Sequence, residues 1–429
     1  MNEEELAALL SRHAETHSVP GAALGILRQG AVTTAHCGVT DVTTGVPVTV
    51  ETQFSTGSLT KSMVATVVAQ LAGAGKLSLD DPAAAHVPEL KGSDWAERAT
   101  VRDLLANRSG LPLSSDLEFG FDTRIDAAIS GLVAEVALQA SPGPYWSYSN
   151  LGWCVLGRVI ETVTSSTWDE AMHDLLLGPA GMSQTVCATD ARTSQRVSGH
   201  EMTEKGPMPV EPLVARAYGP AGTAVISTAA DLLRFAAMHL DESQYEVMRT
   251  VHSETTIHGW LDSWCLGWAR FDWNGSAVWG WDGLINGERS FLRIMPELRA
   301  AVVLMTNSST GRAMYRSLFS DLMPAATGIH MPPLQLSPSP GAAGDLSRYA
   351  GVYAWPDARV EVGVAGDSLV VIDEDGTKTE ALPIDDRTFL VDATDPDNPT
   401  VTFGAFDAGG RPHVIYRMVW GLPRTVSSA

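Results

Sequence analysis

Proline lacks a backbone N–H and holds φ at about −65°, so a cluster of prolines excludes both a helix and a central strand. Residues 331–343 contain Pro332, Pro333, Pro338, Pro340 and Gly341. This is the clearest linker in the chain. It divides the chain into a large N-terminal part, 1–330, a connection, 331–345, and a short C-terminal part, 346–429. The larger part is long enough to bury a substantial core. With 45% hydrophobic and 18% charged residues over 429 positions, the composition is that of folded domains and not of a disordered chain.

The two parts carry different periodicities. Residues 3–16 place apolar side chains at helical spacing behind an acidic first turn, which predicts a helix. Residues 21–27 and 31–36 read as strands joined at Gln29-Gly30. Residues 58–74 are rich in Val, Ala and Leu on most sides, the pattern of a buried helix. The region 95–250 alternates helical patterns with turns, and Thr228-Ala229-Ala230-Asp231 reads as a capping box. Strands are predicted at 266–271, 277–281, 290–295 and 300–305, with Gly283, Gly287 and Pro296 as turn residues between the last three. A helix is predicted over 312–322. Beyond the linker, short alternating runs such as 360–364, 401–403 and 414–418 predict a small antiparallel β domain.

Charge and composition exclude several functions. There are 50 acidic against 29 basic residues, a net charge of −21. That field repels polyanions, so neither nucleic acid nor an anionic membrane surface is an expected partner. No run is long and apolar enough to span a bilayer. The N-terminus, Met1-Asn2-Glu3-Glu4-Glu5, lacks a basic n-region, so the expected location is the cytoplasm. Cys37, Cys154, Cys187 and Cys265 show neither CxxC spacing nor a zinc pattern and are expected to be reduced thiols. No phosphate-binding glycine loop and no HExxH occurs, so no metal or organic cofactor is expected.

The chemistry concentrates in Ser58-Leu59-Thr60-Lys61. Residues three apart share a helix face, so hydroxyl and amine become neighbours. A serine needs a base to act as a nucleophile, and a lysine serves when burial disfavours its ammonium. The chain has five lysines, Lys61, Lys76, Lys91, Lys205 and Lys378, and only Lys61 follows a serine at this spacing. Taken alone the pattern is short, and a helix N-cap serine with an incidental lysine explains it equally well.

A second motif, Tyr148-Ser149-Asn150 within Pro144-Tyr145-Trp146-Ser147-Tyr148-Ser149-Asn150-Leu151-Gly152-Trp153, raises the specificity. Here the sequence resembles the serine β-lactamase and penicillin-binding-protein superfamily, in the class C lineage that also holds D-peptidases and carboxylesterases. Phe54-Ser55-Thr56-Gly57-Ser58, the run 104–112 and Ala221-Gly222-Thr223 are similar to the family as well. The resemblance covers roughly residues 5–325. It implies an α/β fold in which an antiparallel sheet is flanked by helices and joined to a helical subdomain, with the site between them. The C-terminal part resembles the lipocalin-like β domain of some members. The resemblance also implies roles: Ser58 as the acylated nucleophile, Lys61 as its proton acceptor, Tyr148 as proton relay, and Asn150 bonding substrate and Lys61. A phenol titrates near 10, so Tyr148 would need a neighbouring ammonium to favour its phenolate.

The family's third motif carries a basic residue before a glycine. Its place here is Trp279-Gly280-Trp281-Asp282-Gly283-Leu284, where Trp281 stands instead. Trp281 and its neighbouring tryptophans are expected to form an aromatic wall for the acyl group, with Trp268 assigned to strand packing. Asp282 is expected either to bind a substrate amine or to point into solvent. Gly283 allows close approach beside the strand, and the backbone N–H groups of Ser58 and Leu284 are the expected oxyanion donors. Arg417 and Arg424 are candidates for a substrate carboxylate, although a surface arginine is the simpler reading.

The sequence therefore predicts a serine enzyme that transfers a small-molecule acyl group to water, an amine or an alcohol. A carboxylesterase or amidase comes first. A cytoplasmic transacylase or thioesterase of natural-product assembly is next, and a β-lactamase or D-peptidase third. A binding protein with an inactive site is the rival of another class.

Overall fold

The computed structural model describes residues 2–113, 123–135, 141–143, 145–187, 195–212, 215–355 and 358–425. Pro144, at the head of the tyrosine motif, and parts of the helical middle region lie outside them.

The chain opens with helix α1, Glu3–Thr16. Asn2 accepts from the Glu5 N–H while Glu5 answers the Asn2 N–H, and this reciprocal cap sets the start of the helix. The hairpin β1 (Gly21–Arg28) and β2 (Ala31–Gly38) follows. It is joined at Gln29 and Gly30, both at positive φ. A short strand β3 (Phe54–Ser55) leads through a 3₁₀ turn, Gly57–Leu59, into α2 (Thr60–Gly73). Helices α3 (Asp94–Arg98), α4 (Val101–Leu105), α5 (Ile125–Glu135), α6 (Asn150–Thr164) and α7 (Trp168–Met172) form the helical region beside α2. Strand β4 (Val186–Cys187), the hairpin β5 (Gly199–Thr203) and β6 (Gly206–Val210), strand β7 (Val225–Ser227) and helix α8 (Ala229–Asp241) complete the middle.

Strands β8 (Ser263–Trp264), β9 (Ala269–Trp273), β10 (Ser276–Ile285), β11 (Glu288–Met295) and β12 (Ala300–Thr306) then join the first hairpin. They build one antiparallel sheet of order β2-β1-β12-β11-β10-β9-β8. Helix α9 (Gly311–Thr327) covers one face, where Phe291 stacks on Tyr315 at 4.2 Å. On the other face Gly25 sits so close to Leu233 of α8 that a Cβ would lie 2.8 Å from its Cδ1. β12 is buried along its whole length, as a central strand covered on both faces must be.

Three expectations fail here for a physical reason. Residues 266–271 do not form one strand. Gly267 turns at φ +80 against α2, where a Cβ would lie 2.3 Å from that of Ala65, so the chain breaks between β8 and β9. Gly283 is not a turn but lies inside β10. Likewise Thr228 caps α8, but the capping box is not closed. The Asp231 carboxylate is instead buried, accepting from Gln184 N–H at 2.8 Å and Thr185 Oγ1 at 2.9 Å.

Residues 329–340 contain no helix or strand. Eight strands follow between Gly351 and Pro423, each paired antiparallel with the next. The Thr425 N–H donates to Val352 O at 2.8 Å and draws the last strand back to the first, making a near-barrel. Its core holds Tyr353, Leu369, Phe389 and Phe403. Val414, Tyr416 and Val419, at the end of this unit, belong instead to the core of the large domain. No described helix is long and apolar enough to cross a membrane.

Candidate active site

The nucleophile sits on a turn held from two sides. The Glu288 carboxylate accepts from Ser55 N–H at 2.7 Å, and Ser290 Oγ donates to Thr56 O at 2.8 Å. Glycines then let β10 lie directly against this turn. A Cβ on Gly283 would fall 2.0 Å from Thr56 O, and one on Gly57, at φ +51, would fall 2.9 Å from Leu284 N. The amide of Leu284 is thereby brought beside that of Ser58, as an oxyanion pair requires. β9 pairs with β10 only over 276–280, so β10 has an unpaired edge from Trp281 onward.

Lys61 lies one turn further on and is fully buried. Its Nζ is 3.0 Å from Ser58 Oγ and also donates to Ala221 O. Among the described residues no carboxylate compensates its charge. The adjacent Cys154 thiol is itself pushed up to about 12 by burial and stays neutral. Desolvation therefore lowers Lys61 from 10.5 to about 7, so near neutrality much of it is a free amine.

Tyr148 hydrogen-bonds Ser58, and its ring centroid is 4.8 Å from Lys61 Nζ. Burial works against the expected phenolate held by an ammonium. Burial raises Tyr148 well above 10, and the nearby Lys61 is a weak cation. Trp281 Nε1 donates to Tyr148 Oη at 3.0 Å. An indole N–H can only donate, so Oη accepts there. Ser58 Oγ thus lies between the Lys61 amine and the Tyr148 hydroxyl, which Trp281 holds from its far side.

The C-terminal unit braces this tyrosine. Tyr416 Oη donates to Trp146 O at 2.7 Å, Ser147 Oγ to Gly421 O at 3.3 Å, and the Tyr148 N–H to Val419 O at 3.4 Å. Asn150 opens α6, after Ser149, whose Oγ accepts from Gly152 N–H at 3.1 Å. The second partner of Lys61 is Ala221 O rather than Asn150, whose side chain lines the cleft.

The structure places the remaining residues differently from expectation. Trp281 is 2% exposed and packs on Trp264 at 4.8 Å and Tyr148 at 5.4 Å. Trp260, Trp264, Trp268 and Trp273 are buried as well. These side chains are core, and Trp281 acts on the tyrosine rather than forming an acyl wall. Asp282 neither binds substrate nor meets solvent, because it is buried between Arg293 at 2.7 Å and Arg312 at 2.9 Å. Arg417 pairs with Asp373, and Arg424 donates to Arg348 O at 2.9 Å, so both are engaged within the C-terminal unit. Ser58, Asn150 and Leu284 do meet in one cleft, of about 340 Å³, shared with Tyr218, Thr223 and Arg289. Sequence reasoning missed the role of Ala221 and the presence of Arg289. A signal for the first was Gly222, at φ +133, where a Cβ would lie 2.5 Å from Gly57 O.

A cleft serine backed by a buried lysine and a buried tyrosine, between an antiparallel sheet and a helical region, defines a serine hydrolase of the acyl-enzyme type. The chain belongs to the Beta-lactamase family, whose sequence model matches residues 6–320. It is 33% identical to "Penicillin-binding protein 4" of Amycolatopsis lactamdurans, over 79% of this chain and 93% of that protein. The solved structure of SurE with D-Leu superposes with a TM-score of 0.80 at 27% identity, covering 99% of each chain. A class C β-lactamase shares the fold with a TM-score of 0.63 at 20% identity, over 75% of this chain and 96% of its own.

Proposed function

We propose that this enzyme cleaves an ester or amide by carrying the acyl group on Ser58, as a carboxylesterase or amidase does. The observation that carries the reading is Ser58 Oγ set 3.0 Å from the buried Lys61 Nζ and hydrogen-bonded to Tyr148. Ser58 Oγ attacks the carbonyl while its proton passes to the Lys61 amine. The amides of Ser58 and Leu284 receive the developing oxyanion, each typically worth about 10²–10³ in rate. Tyr148, protonated and bonded to Ser58, passes a proton to the leaving group. The incoming water, amine or alcohol loses its proton by the same path in reverse.

The likeness to SurE, a structure obtained with D-Leu, supports a D-configured residue in the substrate. A second reading, with the same acyl-serine, is transfer to an amine in place of water. A β-lactamase is disfavoured because Trp281 offers only a neutral donor where the family motif carries a cation. The test is a panel of p-nitrophenyl esters, D-amino-acid amides, acyl thioesters and nitrocefin, with mass spectrometry of the acyl-enzyme. Esters or D-amides should load Ser58 and nitrocefin should turn over slowly. A label on another serine, or full turnover in Ser58→Ala, would overturn the assignment.

A further inference from the structure

We propose that the pocket between the linker, α9 and β9 is a second ligand site, which takes a small carboxylate on a flat apolar body, an arylalkanoate in size and charge, with Arg316 receiving the carboxylate. The pocket shares no lining residue with the serine cleft, so it stands whether or not the acyl-transfer reading holds. Its volume is about 220 Å³. A cavity of about 150 Å³ already holds a benzene ring, so room is left for a short acidic arm. Trp260, Phe271 and Trp273, all buried, and Leu334 of the linker supply the apolar walls. Apolar walls with one convergent polar group are the usual make-up of a small-molecule site.

Arg316 differs from the other largely buried arginines in having no anion. Arg289, Arg293, Arg312 and Arg417 also leave Nε without a partner among the described residues, but each is paired with an aspartate. Arg348 bonds three oxygens of the C-terminal unit. Arg316 has no ion pair among the described residues, its Nε has no partner there, and its Nη2 donates to Gly259 O at 2.8 Å. That carbonyl also accepts from Arg312 Nη2 at 3.0 Å, so it keeps a donor when Arg316 is replaced. Burial, and behind it the neighbouring Arg312 charge, lowers Arg316 from 12.5 to about 10. A desolvated guanidinium without a counter-ion is unfavourable, and a bound carboxylate relieves it through charge-assisted hydrogen bonds to a planar fork of donors.

The other titratable groups of the lining are engaged elsewhere. Burial keeps His258 neutral, and its Nε2–H donates to Gln335 O at 2.7 Å. Tyr315 Oη accepts from Arg293 Nη2 at 2.8 Å. Asp262 accepts from the Asp272 N–H at 2.7 Å, and Asp272 from the Gly275 N–H at 2.7 Å, so backbone donors of β9 and its turn hold both carboxylates. Neither aspartate pairs with Arg316, whose charge is left for the ligand.

The test is calorimetry on the full chain with 3-phenylpropionate, its neutral amide and 3-phenylpropylamine. The acid should bind with a stoichiometry of one, and about 10- to 100-fold more tightly than the amide, the range of hydrogen bonds to a charged group. Arg316→Gln should bring the acid down to the level of the amide and leave the amide unchanged. Leu334→Trp fills the pocket from the linker side. It should abolish binding of both while an uncharged ester still labels Ser58 at the native rate, which tests the site even if Arg316→Gln fails to fold. A fluorophosphonate label on Ser58 should leave the affinity for the acid unchanged. No binding of the acid, equal effects of Arg316→Gln on acid and amide, or an amine that binds as tightly as the acid would overturn the proposal. Loss of binding on labelling Ser58 would also overturn it, by placing the ligand in the serine cleft.

Discussion

Replacing Lys61 by methionine should abolish acylation and stabilise the protein, and the gain should depend on pH. Folding strips the Lys61 amine of water and lowers its pKa from 10.5 to about 7. Charging that amine in the folded state costs about 5 kcal/mol, at about 1.4 kcal/mol per tenfold change in proton affinity. Between about pH 7 and 10.5 the unfolded chain binds more protons than the folded one, so stability rises with pH across that window. Below about 7 the penalty is fully present. Lys61→Met removes it but leaves Ala221 O without its donor, which costs about 1–3 kcal/mol. The variant should therefore be about 2–4 kcal/mol more stable than the native protein at pH 6. Its advantage should shrink by about 3 kcal/mol by pH 9. Urea denaturation followed by tryptophan fluorescence at pH 6, 7, 8 and 9 measures the difference, and general effects of pH cancel between the two proteins. In the native enzyme, single-turnover acylation should rise with pH to a plateau above about 7 as the free amine appears. A stability difference that stays constant from pH 6 to 9, or an acylation rate that is flat over that range, would show that Lys61 is neither desolvated nor the base.

Trp281→Phe keeps the ring and removes the donor to Tyr148 Oη. Acylation should fall up to about 10-fold, the range of one neutral hydrogen bond, and the same change in a Tyr148→Phe background should cost almost nothing. Tyr416→Phe removes the brace on Trp146 O. It should lower kcat with little change in KM and cost about 1 kcal/mol of stability. A kcat loss that persists undiminished in Tyr148→Phe would show that Tyr416 does not act through the tyrosine.

The nucleophile and its base were legible in the sequence because their relation is local. Three residues on a helix put Ser58 and Lys61 on one face whatever surrounds them. The period-two runs beyond the prolines likewise announced a β unit, since alternation follows from the strand itself. The tyrosine motif was legible through its wording, not through any local geometry. What the sequence could not carry was which distant groups share a pocket. Trp281 lies 133 residues from Tyr148, and Ala221 lies 160 from Lys61. Each pair exists only because β10 and the turn before β7 close over α2. The same holds for protonation. A free phenol and a free ammonium favour a tyrosine ionised by lysine, but burial penalises both charges, and the depth of burial is a property of the whole fold. Asp282 illustrates the limit: from its place along a strand, it could face a ligand or the interior. Only the arginines of β11 and α9, packed on that face, decide for the interior.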